Sequence, residues 1–285
     1  MLDINELRIF RTVARRGSIS KAAEELNYVQ SNVTARIRQL EDRLDTSLFH
    51  RRSKGVVLTA SGHLLLGYAE RIIRLANEAE EALGDRGEPK GRLVIGTMET
   101  TAAVRLPPLL AGFHRSCPQV ELSLVTGPSQ VSLRRLLDYQ LDGAFVAGDV
   151  ADDSLVAEKA FEEELVLVTP PAFDPFEKGG SLKILVFQSG CSYRAHLERW
   201  LVATGGQFQT MEFGSIEGIL GCVAARMGVS VLPRSVVERS QYRETCALRP
   251  LPEDFATMTT WLVRRRDEKP GRALQAFRDL VVSSK

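Results

Sequence analysis

Cysteine is scarce in this chain of 285 residues: there are four, Cys117, Cys191, Cys222 and Cys246, separated by 74, 31 and 24 positions. Such spacing offers no CxxC pair and no dense disulfide framework, which excludes a cysteine-held structural zinc and a disulfide-stapled scaffold and fits a reducing compartment. The four histidines, His50, His63, His114 and His196, are equally scattered, so a metal site has nothing to start from, and no metal or cofactor is expected. No apolar run approaches the roughly 18 residues of a membrane span, and Met1 to Glu6 lack the basic and apolar stretches of a secretory signal. A cytoplasmic protein with no membrane partner is the expectation. Also missing are GxGxxG, GxxxxGK[ST], HExxH and GxSxG, so nothing announces an enzyme.

What is present is ordinary globular material. Apolar residues make up 44% and charged residues 26%, which rules out collagen-like, low-complexity and wholly disordered chains. At about 100 to 200 residues per domain the length suggests two domains. The net charge of +1 is unevenly spread: residues 1–58 hold 11 Lys/Arg against 7 Asp/Glu, and the remainder 26 against 29. A basic N-terminal module beside a mildly acidic body follows from that imbalance.

Hydrophobic periodicity divides the chain further. Leu7, Phe10, Val13 and Ala14 predict an amphipathic helix over 4–15 that stops at Arg16-Gly17, with Ser18 placed as the next N-cap. Ile19, Ala22, Ala23 and Leu26 mark a second helix, and Val33, Ile37, Leu40 and Leu44 a third. Two short helices joined by a few residues form a helix-turn-helix. Arg51, Arg52 and Lys54 then lead into Val56-Val57-Leu58, which suits a hairpin or wing. Residues 59–83, with Thr59 as cap, predict a helix of about 37 Å. Its seam of Leu65, Tyr68, Ile72, Leu75, Ala79 and Ala82 repeats every seven residues, which reads either as packing on its own domain or, preferably, as a dimerisation strut. Gly84 to Gly91 reads as a hinge, so residues 59–90 form linker helix and hinge.

Beyond the hinge, short apolar runs at 93–95, 120–125, 144–146, 165–168, 184–187, 229–232 and 261–263 alternate with helical stretches near 102–115, 129–138, 193–204, 215–226 and 271–282. Alternation of this kind implies a mostly parallel sheet covered by helices. The pattern restarts near residue 164, which predicts two α/β lobes with a cleft: a first over about 91–163 and 266–285, a second over about 164–265.

Several segments carry a resemblance. Phe10-Arg11-Thr12-Val13-Ala14-Arg15-Arg16-Gly17-Ser18, Lys21-Ala22-Ala23-Glu24-Glu25-Leu26, Gln30-Ser31-Asn32-Val33-Thr34, Ile37-Arg38-Gln39-Leu40-Glu41, Leu48-Phe49-His50-Arg51 and Leu58-Thr59-Ala60-Ser61-Gly62 resemble the LysR-type transcriptional regulators. The likeness is close over residues 3–83 and looser beyond, through Arg105-Leu106-Pro107, Leu141-Asp142-Gly143 and Gly228-Val229-Ser230-Val231-Leu232-Pro233. It implies a winged helix-turn-helix over 1–58, a long linker helix, and a two-lobed effector domain over 91–285 like periplasmic solute-binding proteins. The implied partners are an operator in double-stranded DNA, a small-molecule effector, further copies of the chain as dimer and tetramer, and RNA polymerase.

The DNA-reading residues can be argued from chemistry. A helix entering the major groove presents its N-terminal side chains to base edges, and amides, hydroxyls and guanidiniums match base donors and acceptors. Gln30, Ser31, Asn32, Thr34 and Arg36 occupy that stretch. The resemblance assigns base or backbone contact to Gln30, Ser31, Asn32 and Thr34, and phosphate or minor-groove contact to Arg51. It also shows a departure, because many members carry Arg where this chain has Ala35, with Arg36 as the substitute. Arg38 reads better as a solvated side chain pairing with Asp42.

In the second module two strand-to-helix junctions are rich in donors: Thr97 to Ala102, and Gln188 to Tyr193. Free N–H groups and small hydroxyls at helix N-termini bind anions, and ligands of open α/β sheets lie at the carboxyl ends of strands. Thr100, Thr101, Gln188, Cys191 and Ser192 are therefore the expected effector contacts, and a small organic anion the expected effector. Plain N-capping by Thr100, Ser189 or Ser192 is the competing explanation. Glu99 counts against an anion unless it turns outward or meets a cationic part of the ligand. Cys191 at a helix N-terminus should have a lowered thiol pKa, which keeps a redox-sensing regulator as an alternative. Some members of the resembled family sense peroxide this way, but here the next thiol is Cys222. A cysteine hydrolase relying on His196, five residues on in the same helix, is the remoter alternative.

Overall fold

A computed structural model describes residues 2–52, 55–83, 87–173 and 182–284, with backbone only at 78 and 81–83. Two compact units divide the chain: Met1–Gly87 with Asp138–Gln140, and Glu88–Leu137 with Leu141–Lys285.

The first unit opens with helix α1 (Ile4–Arg16), capped by Asp3, whose carboxylate accepts from the Asn5 N–H at 2.7 Å, and closed by Gly17 at φ 59°. Ser18 caps α2 (Ile19–Glu25) through the Lys21 N–H, and α3 (Gln30–Leu44) starts at Val29 without any side-chain cap. Ala22 and Ala23 are buried where α1, α2 and α3 converge on Leu7, Phe10, Val33, Ile37 and Leu40. Glu6 of α1 receives both contacts of Arg43 from α3, at 2.6 and 2.7 Å. Strands β1 (Phe49–Arg52) and β2 (Gly55–Leu58) form the expected hairpin, with Arg52 opposite Gly55. Gly55 is obligatory: its φ is 128°, and a Cβ there would sit 2.2 Å from the Gly17 carbonyl oxygen. Lys54 lies outside the described residues.

Helix α4 (Ala60–Leu83) begins under Thr59, whose hydroxyl accepts from the Gly62 N–H at 2.9 Å. Its core face is Ala69 and Ile73, with Leu65, Leu66 and Ile72 partly buried beside them. Leu64, Tyr68 and Leu75 are 66%, 53% and 67% exposed, and Ala79 is exposed. The single predicted seam therefore divides. At about 100° per residue the stripe of Leu64, Tyr68 and Leu75 lies roughly 120° around the helix from the core face, so Leu65 and Ile72 serve their own module while Tyr68, Leu75 and Ala79 point away. The Ala82 side chain and Gly84 to Arg86 of the expected hinge fall outside the described residues.

In the second unit β3 (Lys90–Thr97) starts one residue earlier than the expected domain start and pairs in parallel with β4 (Gln119–Thr126) and β5 (Gly143–Ala147). The long strand β6 (Leu155–Thr169) runs through both lobes. Its first part pairs with β11 (Thr257–Arg265), giving a first-lobe sheet of order β4-β3-β5-β11-β6. From Leu165 it lies between β9 (Ser230–Pro233) and β10 (Ala247–Pro250), and β7 (Leu182–Phe187) with β8 (Phe208–Phe213) continues beyond β9 through a bridge at Ile184 and Val229.

Three expectations need correction. The sheets are mixed rather than mostly parallel, because β11 runs against β5 and β6 in the first lobe and β6 runs against β9 and β10 in the second. The expected return to the first lobe at 266 falls past the end of β11, which already pairs with β5 from Thr260. The stretch predicted as one helix over 102–115 is two, α5 (Glu99–Val104) and α6 (Leu106–Ser116), since Pro107-Pro108 fits only the first turn of a helix. The remaining helices, α7 (Ser129–Leu137), α8 (Ser192–Ala203), α9 (Ile216–Ala224), α10 (Arg234–Glu238) and α11 (Arg272–Ser283), cover the sheets. Phe113, Phe145 and Phe277 centre the first-lobe core; Ile184, Val186, Leu197 and Trp200 fill one side of the second lobe, and Val166, Ile219, Leu220 and Val223 the other. Among the described residues no helix is long and apolar enough to cross a membrane.

Candidate functional site

Two sites emerge, one on each unit. On α3 the apolar Val33, Ile37 and Leu40 turn inward, which leaves Gln30, Ser31, Asn32 and Arg36 exposed on the opposite face. Thr34 is half-buried, and its hydroxyl donates to the Gln30 carbonyl at 2.9 Å, so only its lone pairs remain to meet another molecule. Ser20 of α2 donates to Gln30 Oε1 at 3.1 Å. Arg51 is exposed on β1, opposite Val56. Among the described residues Arg36, Arg38, Arg51 and Arg52 make no ion pair; the expected Arg38–Asp42 pairing is absent, and Arg38 is simply solvated. Glu41, by contrast, is committed to structure, accepting from the Leu48 and Phe49 N–H groups at 2.7 and 3.2 Å where the chain turns into the wing.

The second site lies where the lobes meet. Thr100 and Thr101 at the start of α5 are 3% and 2% exposed, and their hydroxyls have no partner among the described residues. Tyr193 of α8 is also buried; Thr100 and Thr260 flank its hydroxyl without reaching hydrogen-bond geometry, and burial pushes its pKa up. Beneath them Arg105 grips the buried Glu163 with Nε at 2.8 Å and a terminal nitrogen at 2.7 Å. Glu163 sits in a run of three glutamates on β6, where sequence reading sees only a solvated face, and its partner is 58 residues away. Neither this pair nor Tyr193 and Thr260 stood out in the sequence. The only signal available was Tyr193 at the end of the donor-rich junction.

The seam between lobes is closed along α8. Ser192 Oγ donates to the Ala147 carbonyl of β5 at 2.6 Å, and the Gln130 N–H donates to the Gly190 carbonyl at 3.4 Å. Gly190, at φ 88°, approaches so closely that a Cβ would lie 3.2 Å from Gln130 Oε1. Gln188 is exposed and joins this arrangement only through its carbonyl, which accepts from the Cys191 N–H at 3.2 Å. Glu99 does not face a ligand: it accepts from the Ile216 N–H at 3.1 Å at the start of α9, and burial raises its pKa.

The expected activation of Cys191 is overturned. The residue is the α8 N-cap, yet it is only 7% exposed, and burial pushes its thiol pKa up against the opposing Arg194 and Tyr193 N–H groups. Cys191 also belongs to one core of the second lobe, while Cys222 packs against the other. His196 offers no base, because both ring nitrogens are engaged: Nε2 lies 2.9 Å from the Phe255 carbonyl and Nδ1 3.2 Å from Arg199. Among the described residues no group of His, Cys, Asp and Glu could hold a metal ion.

Comparisons with known proteins agree with this division. Residues 4–63 match the family described as bacterial regulatory helix-turn-helix protein, lysR family, and residues 86–284 match the LysR substrate binding domain. The chain is 47% identical over 279 residues to the uncharacterized HTH-type transcriptional regulator YusT of Bacillus subtilis, covering 98% of this chain and 95% of that protein. It is 44% identical over 280 residues to the HTH-type transcriptional regulator GltR of the same organism, covering 97% and 95%. Among solved structures, a full-length OxyR variant from Pseudomonas aeruginosa shares the fold with a TM-score of 0.78 at 24% identity, covering 99% of this chain and 98% of that one. Full-length CbnR complexed with its target DNA does so with a TM-score of 0.67 at 22% identity over the whole of both chains.

Proposed function

This chain belongs to the LysR family of helix-turn-helix transcriptional regulators, and from that premise we propose which of its residues carry each part of the work. It is a DNA-binding transcriptional regulator with an effector-binding domain. Gln30, Ser31, Asn32 and Arg36 read or grip the operator from the mouth of α3, Thr34 supports the helix there, and Arg51 holds phosphate or the minor groove from the wing. The observation that carries this assignment is the exposed polar face of α3 flanked by arginines that make no ion pair among the described residues. Phosphate contacts fix position and base contacts specify sequence, so the two kinds of residue should separate experimentally. With a duplex selected from a random library by the full-length protein, Gln30→Ala should lose about 1 to 3 kcal/mol on that duplex alone. Arg51→Ala should weaken every duplex and reduce the salt slope by about one. Equal losses for Gln30→Ala on selected and random DNA would reject the base-reading role.

The effector binds at the lobe seam. Thr100, Thr101, Cys191 and Ser192 line it together with Tyr193 and Thr260, and Gln188 borders it. Support comes from the buried hydroxyls of Thr100, Thr101, Tyr193 and Thr260, which lack partners among the described residues, because buried polar groups are as a rule satisfied. A small organic anion is the proposed ligand, held by hydroxyls and by the uncapped start of α8. Thr100→Trp should abolish thermal stabilisation by the effector while leaving DNA affinity intact, and a normal response would move the site elsewhere. Hydrogen peroxide should leave operator binding unchanged; a peroxide-dependent change that Cys191→Ser abolishes would revive thiol sensing, against which the buried thiol counts. The engaged His196 counts likewise against a hydrolase.

Assembly completes the reading. Tyr68 and Leu75 of α4, with Ala79 below them, pair with the same stripe of a second chain. A two-fold dimer presents two α3 helices to half-sites about 34 to 36 Å apart or a multiple of that distance. Two dimers joining through the effector domains give a tetramer, and RNA polymerase is the further partner through which bound regulator acts.

A further inference from the structure

Arg105 has an edge that its own fold does not use. Its Nε and Nη2 grip Glu163 at 2.8 and 2.7 Å, and among the described residues Nη1 makes no hydrogen bond or ion pair. The two side chains are unequal, for Glu163 is 5% exposed and Arg105 34%. A guanidinium is a planar fork of N–H donors, so a carboxylate seated on one edge fixes the plane and leaves another edge to face outward. A buried carboxylate paired with a partly exposed arginine is weak support for a fold, since apolar side chains of similar size commonly serve as well. The pair therefore invites a use beyond packing.

Strand register brings that edge to the lobe seam. In the antiparallel pairing of β6 and β11, Phe161 stands opposite Thr260 and Glu163 opposite Met258, so these side chains share a face. The Arg105 guanidinium lies over the Phe161 ring, 5.6 Å from its centre. Hydrogen bonds with Glu163 do most to raise the Arg105 pKa against burial, and Tyr193 is close enough to add to the rise. Arg105 thus adjoins Tyr193, Thr100 and Thr260, whose buried hydroxyls lack partners among the described residues. Arg239, also beside α5, is turned to the Val104 carbonyl at 3.1 Å. Resting on the effector reading of this seam, we propose that Arg105 selects the charge of the effector. The free edge of its guanidinium takes one carboxylate, Glu163 is the positioning residue that holds that edge outward, and the hydroxyls take the neutral remainder of the molecule. One cation, already shared with Glu163, matches a single carboxylate; a second would lie among buried hydroxyls with no cation to meet it on this face among the described residues. The ligand class is a small hydroxy or keto monocarboxylate.

The test is thermal unfolding of the full-length protein, followed by tryptophan fluorescence, with lactate, glycolate and pyruvate as monocarboxylates, malonate and succinate as dicarboxylates, and lactamide and glycerol as neutral probes. Monocarboxylates should raise Tm, and the dicarboxylates and neutral probes should not. Arg105→Leu with Glu163→Leu removes both charges and should weaken the stabilising monocarboxylate by about tenfold or more, the fold-change of one lost charge-assisted hydrogen bond. Glu163→Gln keeps the guanidinium while removing the competing charge, and should bind the same probe more tightly than wild type. A purely structural pair would not move affinity in these opposite directions. If a dicarboxylate or neutral probe stabilises best, if the double variant binds as wild type does, or if Glu163→Gln binds no more tightly, the role given to Arg105 is wrong. The seam reading then still stands, provided that Thr100→Trp abolishes the stabilisation. A stabilising probe that Thr100→Trp leaves unaffected, or no stabilising probe at all, would overturn the seam reading and the role of Arg105 with it.

Discussion

On the first unit Gln30, Ser31, Asn32 and Arg36 stand in solvent on one face of one helix, whereas on the second Thr100, Thr101, Tyr193 and Thr260 are buried and come from three separate segments. A stiff, large partner such as duplex DNA can be met by side chains already displayed, so neighbours in sequence suffice. A small ligand must be surrounded, and surrounding requires groups brought together by the fold, with their polar atoms out of water before the ligand arrives. That withdrawal has a thermodynamic cost, of about 1 to 3 kcal/mol for each unsatisfied polar group, which the ligand can offset on binding. The displayed face is thus open to surface substitution with little effect on stability, while recognition at the proposed enclosed site would be tied to the packing of both lobes.

The largest expected effect breaks the displayed side of this contrast. Tyr68→Glu with Leu75→Glu should yield monomers by sedimentation, because each side chain is worth about 1.5 to 3 kcal/mol when fully buried in a dimer. Both residues are exposed within their own unit, so the helix-turn-helix should remain folded; a variant sedimenting as wild type would show that the α4 stripe is not the dimer contact. Next comes the enclosed side. Arg105→Leu leaves the Glu163 carboxylate buried without its partner and should lower stability by about 2 to 3 kcal/mol, below the full range for a buried pair because the Arg105 side chain is 34% exposed. Trp200 and Trp261 are the two tryptophans of the chain and both lie in the second unit, so their fluorescence follows that unit alone during denaturation. Adding Glu163→Leu should recover most of the loss, and no recovery would mean that the pair does more than neutralise itself.

A smaller effect sharpens the contrast through pH. Burial holds the His196 pKa below its ordinary 6.5. The Phe255 carbonyl can only accept and Arg199 can only donate, so His196 is neutral with its proton on Nε2. The unfolded chain therefore binds the extra proton more readily, and the stability due to this group is present above pH 6.5 and is lost as the pH falls towards the folded value. His196→Gln should flatten the pH dependence of tryptophan-monitored unfolding below 6.5; an unchanged slope would assign it to other groups. Least of all, Thr59→Ala should cost about 1 kcal/mol through its lost cap, read as faster amide exchange in the first turn of α4, with Thr59→Ser close to wild type.

The same contrast explains what the sequence disclosed. The first unit was legible nearly to the residue, because Leu7, Phe10, Val13 and then Val33, Ile37, Leu40 carry a helical period, and Ser18 and Thr59 are caps whose chemistry is local. In the second unit buried strands such as β5 and β9 showed as apolar runs. Strand β8 did not, since Gln209 to Glu212 are exposed, nor did β10, a short strand that ends on Pro250. The first part of β6 was hidden by its glutamates, which are held by Arg278, Arg105 and Arg234 from elsewhere in the chain and by Lys159 of β6 itself. Cys191 misled for a related reason: its position at a helix start was visible, but the core that buries it was not, and desolvation outweighs the helix.

Strand β6 has one more consequence. It passes unbroken from one sheet into the other, with β11 paired along its first-lobe part up to Glu164. A change in the angle between the lobes would then be taken up as twist along an extended strand, whose hydrogen-bonded ladders resist it continuously, rather than at a single pivot residue. A joint of that kind works as a leaf spring: rotations stay small, they reverse when the load is removed, and the response of the domain grows in proportion to the push instead of snapping from one position to another.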